Sequence, residues 1–247
     1  NTSTSAAGFI KHMDHLPALP CVLQQVLAVA DAPNSSADDL ARALSADPGI
    51  AASVLRLINS AFYGLRGKTS QVSRAVVLLG RQGVRNLVLG ISVHNTVLTQ
   101  GVNSPEHVTI WRHSLATAAA SDLIARQIGL KPAEEAFIGG LLHDIGQLIM
   151  VRFSPDDFNS TCTRTINGGG FLSVETEQFG LDHTQVGNRL LSRWGLPASL
   201  CEVVLHHHCV EVPTDSPMAR LLSVIILADS IAQIMGFGLD ISIGSSR

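Results

Sequence analysis

The sequence predicts an all-α protein, a bundle of about ten or more helices. Apolar residues recur at every third or fourth position through most of the 247 residues, which is the spacing of an amphipathic helix. Helix start signals precede several of these runs. Nothing in the sequence resembles a βαβ alternation, a repeat of fixed period or a low-complexity tract.

The first half of the chain contains two clear helix starts. Ser36 with Asp39 three residues later is an acidic form of the capping-box pattern. Asp47 followed by Pro48 places a proline in the first turn of a helix. The helices predicted here are 22–30, the one that follows Ser36, 48–58 and 82–98, and residues 75–79 form a short apolar segment that ends at Gly80.

A Gly- and Pro-containing boundary at 101–105 separates the two halves. Beyond it the predicted helices are 111–128, 133–150, 172–179, 183–194, 198–208 and 216–235, with a polar segment before and around the glycines at 168–170. We therefore expect one domain over 14–236, in which an N-terminal helical lobe (14–103) packs on a second lobe (104–236). Residues 1–13 and 237–247 are expected to flank this domain.

The composition limits the classes of function. Hydrophobic residues make up 46% of the chain and charged residues 15%, whereas an average soluble domain has about 25% charged residues. The formal net charge of −3 argues against general nucleic-acid binding, which depends on neutralising phosphates. No uninterrupted apolar run reaches the roughly 18 residues of a membrane helix. Residues 1–8 lack the pattern of a secretory signal, so a cytoplasmic protein without membrane contact is expected.

The four cysteines have no Cys-x-x-Cys spacing and are too few for a disulfide scaffold. They predict small buried thiols in a reducing compartment. Cys209 directly follows three histidines and is a weaker candidate for a metal ligand. The sequence has no initial Met and ends at Arg247, which indicates part of a longer protein.

His143 and Asp144 lie in a strongly apolar run with three glycines close by. Gly139, Gly140 and Gly146 each cost a helix about 1 kcal/mol relative to alanine. Two interpretations stay open: the glycines leave space above the histidine, or they admit a closely packed neighbouring helix. Residues adjacent on a helix lie about 100° apart, so His143 and Asp144 can both reach one ion at the edge of the helix.

Asp229 is a carboxylate on an apolar helical stripe that includes Leu222, Ile225 and Ile226. No Lys or Arg lies three or four residues away, and burial of a carboxylate is costly unless it is paired, hydrogen-bonded or bound to a metal. A helix cap or a hydrogen bond to a buried hydroxyl is the alternative.

Several of the ten histidines lie near expected helix ends. His113 is expected to begin a helix of small residues, His183 follows Asp182 at another helix start, and the histidines at 206–208 end a helix. Histidine and carboxylate together bind divalent transition metals, but a polar residue at a helix start and a helix dipole explain these positions equally well. The histidines without a ligand pattern, expected to be surface or structural residues, are His12, His15, His94 and His107.

The order of these motifs resembles the HD superfamily of metal-dependent phosphohydrolases. It is more specifically similar to the HDOD domain, an HD-related output domain of bacterial signalling proteins. The resemblance spans about residues 14 to 235. It rests on Leu-Pro-Ala-Leu-Pro at 16–20, Asp-Pro-Gly-Ile at 47–50, Asn-Ser-Ala-Phe-Tyr-Gly at 59–64, Ala-Val-Val-Leu-Leu-Gly at 75–80, Leu-His-Asp-Ile-Gly at 142–146 and Trp-Gly-Leu-Pro at 194–197.

The resemblance implies a ligand set and a context. The four residues that match the HD metal pattern are His113, His143, Asp144 and Asp229. Three further residues fall where the related HD-GYP phosphodiesterases keep ligands for a second metal, namely His183, His207 and His208, and His206 is not assigned. One or two divalent transition-metal ions are implied, and iron, manganese, zinc and nickel all suit such ligands. The implied partners are signalling proteins such as response-regulator, kinase or cyclic-dinucleotide domains, and a homodimer is compatible with the resemblance.

Two departures from the HD-GYP pattern weaken the expectation of catalysis. Gln147 stands where that pattern has a lysine, whose cation can stabilise developing negative charge. The Gly-Tyr-Pro signature is also absent after His208. We therefore expect a bacterial signal-transduction module that acts mainly through protein interaction and retains its metal site. The alternative is a metal-dependent phosphohydrolase acting on a nucleotide, a cyclic dinucleotide or another phosphate ester, with Asp144 as the candidate catalytic residue. The arginines available to bind a phosphate are Arg112, Arg126, Arg152, Arg189 and Arg193.

Overall fold

The computed structural model describes residues 6–13, 21–59, 67–98, 104–131, 133–209 and 217–239. Every regular element in these ranges is a helix, which confirms the all-α prediction. The helices are, in chain order, α1 (Ala6–Met13), α2 (Cys21–Asp31), α3 (Ala37–Ser45), α4 (Pro48–Ile58), α5 (Val72–Leu98), α6 (Pro105–Gln127), α7 (Ala133–Leu142), α8 (Ile145–Phe153), α9 (Pro155–Ile166), α10 (Phe171–Phe179), α11 (His183–Arg193), α12 (Ala198–His206) and α13 (Pro217–Ile234).

The helices divide between two compact units. One unit, Leu19–Thr96, contains α2, α3, α4 and most of α5, and the other, Asn1–Ala18 with Val97–Arg247, contains α1 and α6 to α13. The domain limits 14–236 and the two lobes stay predictions. The sequence features at 16–20, 60–64 and 101–103, with His15, lie outside the described residues, as do the side chains of His12 and His94.

The two helix starts predicted in the first half are confirmed. The Ser36 hydroxyl accepts a hydrogen bond from the Asp39 N–H, and the Asp39 carboxylate accepts one from the Ser36 N–H, which completes the capping box of α3. Helix α4 begins at Pro48, and the Asp47 carboxylate accepts hydrogen bonds from the Gly49 and Ile50 N–H groups. These local caps satisfy donors that lack helical partners.

Residues 75–79 are helical and belong to α5. The break comes at Gly80, whose φ of 68° and ψ of 173° interrupt the helical geometry. A positive φ is accessible to glycine at little cost, so the kink falls at the residue that permits it.

The unit that contains α6 to α13 is built around α6, which packs against both α7 and α13. Helix α11 packs in turn against α8 and α12. Part of the apolar core is a cluster shared by α6, the start of α7, α12 and α13: Ala125, Ala133, Ala136, Val203, Leu221, Leu222, Val224 and Ile225. The packing of α6, α7, α12 and α13 therefore fixes where their polar side chains meet.

Two predicted helix positions are wrong in ways that matter for the site. The predicted helix 133–150 is two helices, because α7 ends at Leu142 and α8 begins at Ile145, which leaves His143 and Asp144 in the turn between them. His113 does not begin a helix, since α6 starts eight residues earlier at Pro105 with Ser104 as its cap. His113 is thus held rigidly in the interior of α6.

The polar segment before residues 168–170, for which no helix was predicted, contains α9, Pro155–Ile166. Its buried residues are Asp157, Phe158, Thr161 and Thr165. Three of these four residues are polar, so a search for apolar periodicity passes over the helix. Helix α1 was also not predicted.

Two stretches, Val72–Val93 and Glu135–Phe153, are long and apolar enough to span a membrane by length and composition. The second is 83% buried inside the fold, as expected of core helices, and the first is 44% buried. Polar residues interrupt both stretches, which is why the sequence shows no uninterrupted apolar run.

The cysteines are all free, but the prediction that they are buried holds only in part. Cys201 is buried and Cys162 is intermediate, whereas Cys21 and Cys209 are exposed. Cys21 is the first residue of α2 and Cys209 follows the end of α12, so both lie at helix ends rather than on a packed face.

We predict that replacing Gly140 by alanine destabilises the fold. A Cβ there would lie 2.9 Å from both the Ala118 Cα and the Thr117 carbonyl oxygen of α6, and backbone atoms cannot rotate away. Overpacking costs about 1–3 kcal/mol, against a gain in helix propensity of about 1 kcal/mol, so urea denaturation should show a net loss of up to about 2 kcal/mol. Gly67→Ala, where a Cβ meets no atom within 4 Å, is the control; equal losses in both variants would contradict the close packing.

We also predict two classes of thiol. Burial raises the pKa of Cys162 to about 12, so this group stays a protonated thiol at about pH 8, and the thiolate is the reactive form. Titration with 5,5′-dithiobis(2-nitrobenzoate) should therefore show two fast thiols, Cys21 and Cys209, and two that react fully only after denaturation. A double Cys21→Ser, Cys209→Ser variant should lose the fast phase, and a fast phase that survives would contradict the assignment.

Candidate metal centre

Five segments of one unit bring all seven predicted ligand residues into one cluster. His113 comes from the interior of α6, His143 and Asp144 from the α7–α8 turn, and Asp229 from α13. His183 is the first residue of α11, and His207 and His208 directly follow α12. All are buried except His208, which keeps an exposed edge.

The first group of ligand atoms, here called the first position, consists of one atom each from His113, His143, Asp144 and Asp229. His113 Nε2 lies 3.2 Å from His143 Nε2, 3.6 Å from Asp144 Oδ2 and 2.9 Å from Asp229 Oδ1. His143 Nε2 lies 3.3 Å from Asp144 Oδ2 and 3.8 Å from Asp229 Oδ1. The donor atoms of His113, His143 and Asp144 thus lie within 4.8 Å of one another, and Asp229 Oδ1 lies within 3.8 Å of both imidazoles.

The second group, here called the second position, uses the other oxygen of the same aspartate. Asp144 Oδ1 lies 3.4 Å from His183 Nε2 and 3.4 Å from His207 Nε2. His183 Nε2 lies 3.3 Å from His207 Nε2 and 3.0 Å from His208 Nε2. The Asp144 carboxylate therefore joins the two positions, one oxygen to each.

Hydrogen bonds on the far side of the rings leave lone pairs pointing into the cavity. His143 Nδ1 donates to the Gly140 carbonyl at 2.8 Å, and His207 Nδ1 donates to the Val204 carbonyl at 2.8 Å. Because a carbonyl only accepts, each Nδ1 carries a proton, and in the neutral ring Nε2 has the free lone pair. A metal-binding histidine has this arrangement, with its second nitrogen donating to a carbonyl or a carboxylate.

The donor set fits a divalent transition metal at each position. Ligands bound at about 2.0–2.1 Å lie about 3.0–3.4 Å from one another, which is close to the separations found here. Asp144 Oδ1 is buried and accepts no hydrogen bond from the described residues. Lone pairs and carboxylate oxygens that face one another repel unless a cation lies between them. Mixed histidine and carboxylate ligands are typical of iron, manganese, zinc and nickel sites.

The electrostatics of the cavity favour positive charge. Burial alone would raise the pKa of Asp144, but the adjacent His143 holds it well below its usual value. Burial would lower the pKa of His143, but the carboxylates of Asp144 and Asp229 raise it to about 9. Both carboxylates thus stay ionised, and the field that holds a proton on His143 also attracts a metal ion.

The glycines around His143 serve close packing rather than open space. A Cβ on Gly146 would lie 1.9 Å from the His183 carbonyl oxygen, and one on Gly139 would lie 2.4 Å from Ile225 Cδ1. Of the two interpretations left open by the sequence, the packed neighbour is correct. The contact at Gly146 is what brings the start of α11, and with it His183, against the α7–α8 turn.

The cavity has a volume of about 740 Å³. It is lined by Ile110, His113, Asp144, Gln147, Gly170, Phe171, Leu172, Ser173, His207, His208, Cys209, Ile226, Asp229, Ser230, Gln233, Gly238 and Leu239. None of these described residues is a lysine or an arginine, so the five arginines considered above do not line it. His206 points elsewhere, with Nε2 3.2 Å from the Glu202 carboxylate, and Cys209 reaches the rim with Sγ 3.5 Å from His206 Nδ1.

Glu175 is a buried residue of the site that the sequence reasoning missed. Its Oε2 accepts hydrogen bonds from His183 Nδ1 at 2.7 Å and from the His183 backbone N–H at 2.9 Å. Burial raises the pKa of Glu175; burial would lower that of His183, but the Glu175 carboxylate raises it. The sequence does contain a signal for Glu175, because this carboxylate shares a helix face with the apolar Phe171, Leu172 and Phe179. Asp229 was identified from the same kind of pattern.

Comparisons with known proteins agree with this geometry. Among solved structures, an HDOD domain protein of unknown function from Geobacter sulfurreducens is 26% identical with a TM-score of 0.81, over 98% of this chain and 80% of that one. A candidate phosphohydrolase from Shewanella amazonensis SB2B is 28% identical with a TM-score of 0.76, over 95% of this chain and 82% of that one. The MmoQ response regulator from Methylococcus capsulatus is 26% identical with a TM-score of 0.50, over 88% of this chain and 87% of that one.

Among curated proteins, an uncharacterised protein of Treponema pallidum (strain Nichols) is 23% identical over 209 residues, which are 84% of this chain. The chain spans 40% of the length of that relative. The HDOD domain model matches residues 16–210, well over half of the sequence and all but one of the seven converging residues. With the helical fold and the paired His/Asp positions as described, the chain belongs to the HDOD domain family.

Proposed function

We propose that this chain binds two divalent transition-metal ions and hydrolyses a phosphate ester at them. The observation that carries the proposal is the Asp144 carboxylate, which presents one oxygen to His113 and His143 and the other to His183 and His207. A buried carboxylate shared in this way is stabilised by a cation on each side. The likeness to a candidate phosphohydrolase at 28% identity supports the same chemistry.

Different residues of the chain would bind each of the two metal ions. At the first position His113, His143 and Asp229 hold one ion, and at the second His183, His207 and His208 hold the other, with Asp144 between them. Gln233 donates to Asp229 Oδ1 at 2.9 Å and fixes the orientation of that carboxylate. A bound metal pair supplies an activated water and stabilises charge on phosphoryl oxygens. A cavity of about 740 Å³ admits a ligand of nucleotide size.

A second candidate is a regulatory module that acts through protein interaction in signal transduction. The observation that favours it is the buried Gln147, which lines the cavity where a lysine would offer a cation. The described lining contains no Lys or Arg that could hold a phosphate. The MmoQ response regulator, 26% identical, is consistent with a signalling context. In this case the metal ions would stabilise the fold without turnover.

We predict that wild-type protein binds two metal ions per chain and that Asp144→Ala loses most of both. Asp144 supplies an oxygen to each position, whereas Asp229 supplies one only to the first. Metal analysis after reconstitution with Mn²⁺ should therefore find about two ions in wild type, about one in Asp229→Asn and less than one in Asp144→Ala. Less than about a tenth of an ion in reconstituted wild type would refute the centre.

The matched control for this series is Asp156→Ala. Asp156 is an exposed aspartate in the first turn of α9 and does not line the cavity. It should bind metal as wild type does. Circular dichroism of the metal-free proteins separates loss of a ligand from loss of the fold.

We predict that turnover follows the same residues. Reconstituted wild type should hydrolyse p-nitrophenyl phosphate or its bis-ester, and Asp144→Ala should lose more than about 100-fold in rate, because even residues that only support metal ligands cost 10–100-fold. Activity that is equal in wild type and Asp144→Ala would exclude hydrolysis at this centre. Metal binding without any turnover would favour the regulatory module.

A further inference from the structure

We propose that Glu175 is the positioning residue on which metal binding at the second position depends. The inference rests on the proposed metal centre and extends it to a residue that touches no metal. Glu175 is fully buried on α10, and its Oε2 accepts hydrogen bonds from both Nδ1 and the backbone N–H of His183. One carboxylate oxygen thus fixes the backbone and the ring of the same ligand.

His183 needs such a partner because of where it lies on its helix. His143 and His207 each donate Nδ1 to a carbonyl three residues earlier in the chain, Gly140 and Val204. His183 is the first residue of α11, so no preceding helical turn offers it a carbonyl. The acceptor has to come from another element, and α10 supplies it.

The connection between α10 and α11 places His183 next to Glu175. Gly180 ends α10 with a φ of 79°, which only glycine adopts readily. Asp182 then caps α11 by accepting from the Gln185 N–H and the Thr184 hydroxyl. The N–H of His183, the first residue of α11, donates to Glu175 Oε2 instead.

The contact has chemical consequences for the second position alone. A carboxylate acceptor keeps the proton on Nδ1 of His183, leaves Nε2 free to bind a metal and makes the ring a stronger ligand than a carbonyl acceptor does. Within the described residues, no ligand of the first position hydrogen-bonds to Glu175. The two positions should therefore respond differently to its replacement.

The test is Glu175→Gln, with Co²⁺ binding to the metal-free full chain followed by calorimetry and by the visible spectrum of the bound ion. The glutamine keeps the shape but removes the charge, and its NH₂ group can take the place of an acceptor oxygen. We expect the affinity of one binding step to fall by about 10–100-fold, as for other groups that support a metal ligand, while the other step is unchanged.

The control is Glu177→Gln on the same helix. Glu177 is 65% exposed and pairs with Arg164 at the surface, so both Co²⁺ steps should match wild type. The melting temperatures of the metal-free proteins show whether Glu175→Gln folds. If it does not, Glu175→Asp, which keeps the charge but shortens the side chain, should weaken the same single step.

The outcomes separate this inference from the proposed function. Wild type that binds no Co²⁺ would overturn both. Wild type that binds two ions, with Glu175→Gln and Glu175→Asp binding both as tightly, would overturn only the role of Glu175. Equal weakening of both steps in a folded variant would also overturn it, because the second position would then not be its specific target.

Discussion

The fold depends on keeping one carboxylate, that of Asp144, ionised and buried between two sets of imidazoles. Removing a carboxylate from water costs several kcal/mol unless compensating charge lies close to it. Here Oδ2 faces His113 and His143, and Oδ1 faces His183 and His207. Apart from the neighbouring His143, these imidazoles come from segments that are distant in sequence, so α6, the start of α11 and the end of α12 must meet at this carboxylate for its burial to be tolerated. The packing of α6, α7, α11 and α13 can be understood as the scaffold that meets this requirement.

Close backbone approach at glycines makes this meeting possible. Gly146 lies so near the His183 carbonyl oxygen that a Cβ would overlap it, and Gly187 of α11 would place a Cβ 2.7 Å from Val204 Cγ1 of α12. Side chains at these places would push the helices apart and open the distances between ligand atoms. The helix break at His143 also contributes to the geometry of the centre, because it places Asp144 in a turn where its carboxylate faces both positions. Positions that cost helix stability locally thus fix the geometry of the centre.

Much of this arrangement could be predicted from sequence because it depends on local chemistry or on recognisable motifs. The capping box at Ser36 and the helix that carries Asp229 are local patterns, and the seven converging residues follow from a family resemblance. The break at His143 could not be predicted, because the apolar run continues through it and the close approach of Gly146 to His183 of α11 is a tertiary contact. Helix α9 was hidden by a buried face of threonines. Glu175 was missed because its partner, His183, lies eight residues away on another helix, so the contact depends on tertiary structure.

The distribution of charge ties both candidate functions to metal occupancy. The described cavity wall carries the carboxylates of Asp144 and Asp229 but no Lys or Arg, and Gln147 adds no charge. Without bound cations the described wall offers a phosphate no Lys or Arg, and the proton held on His143, whose pKa is raised to about 9, offsets only part of the carboxylate charge. With two divalent ions the same wall becomes attractive, because their charge exceeds that of the two carboxylates. Under the proposed function, anion binding would therefore depend on the metal, and a module that signals through this cavity would change its surface charge with the same event.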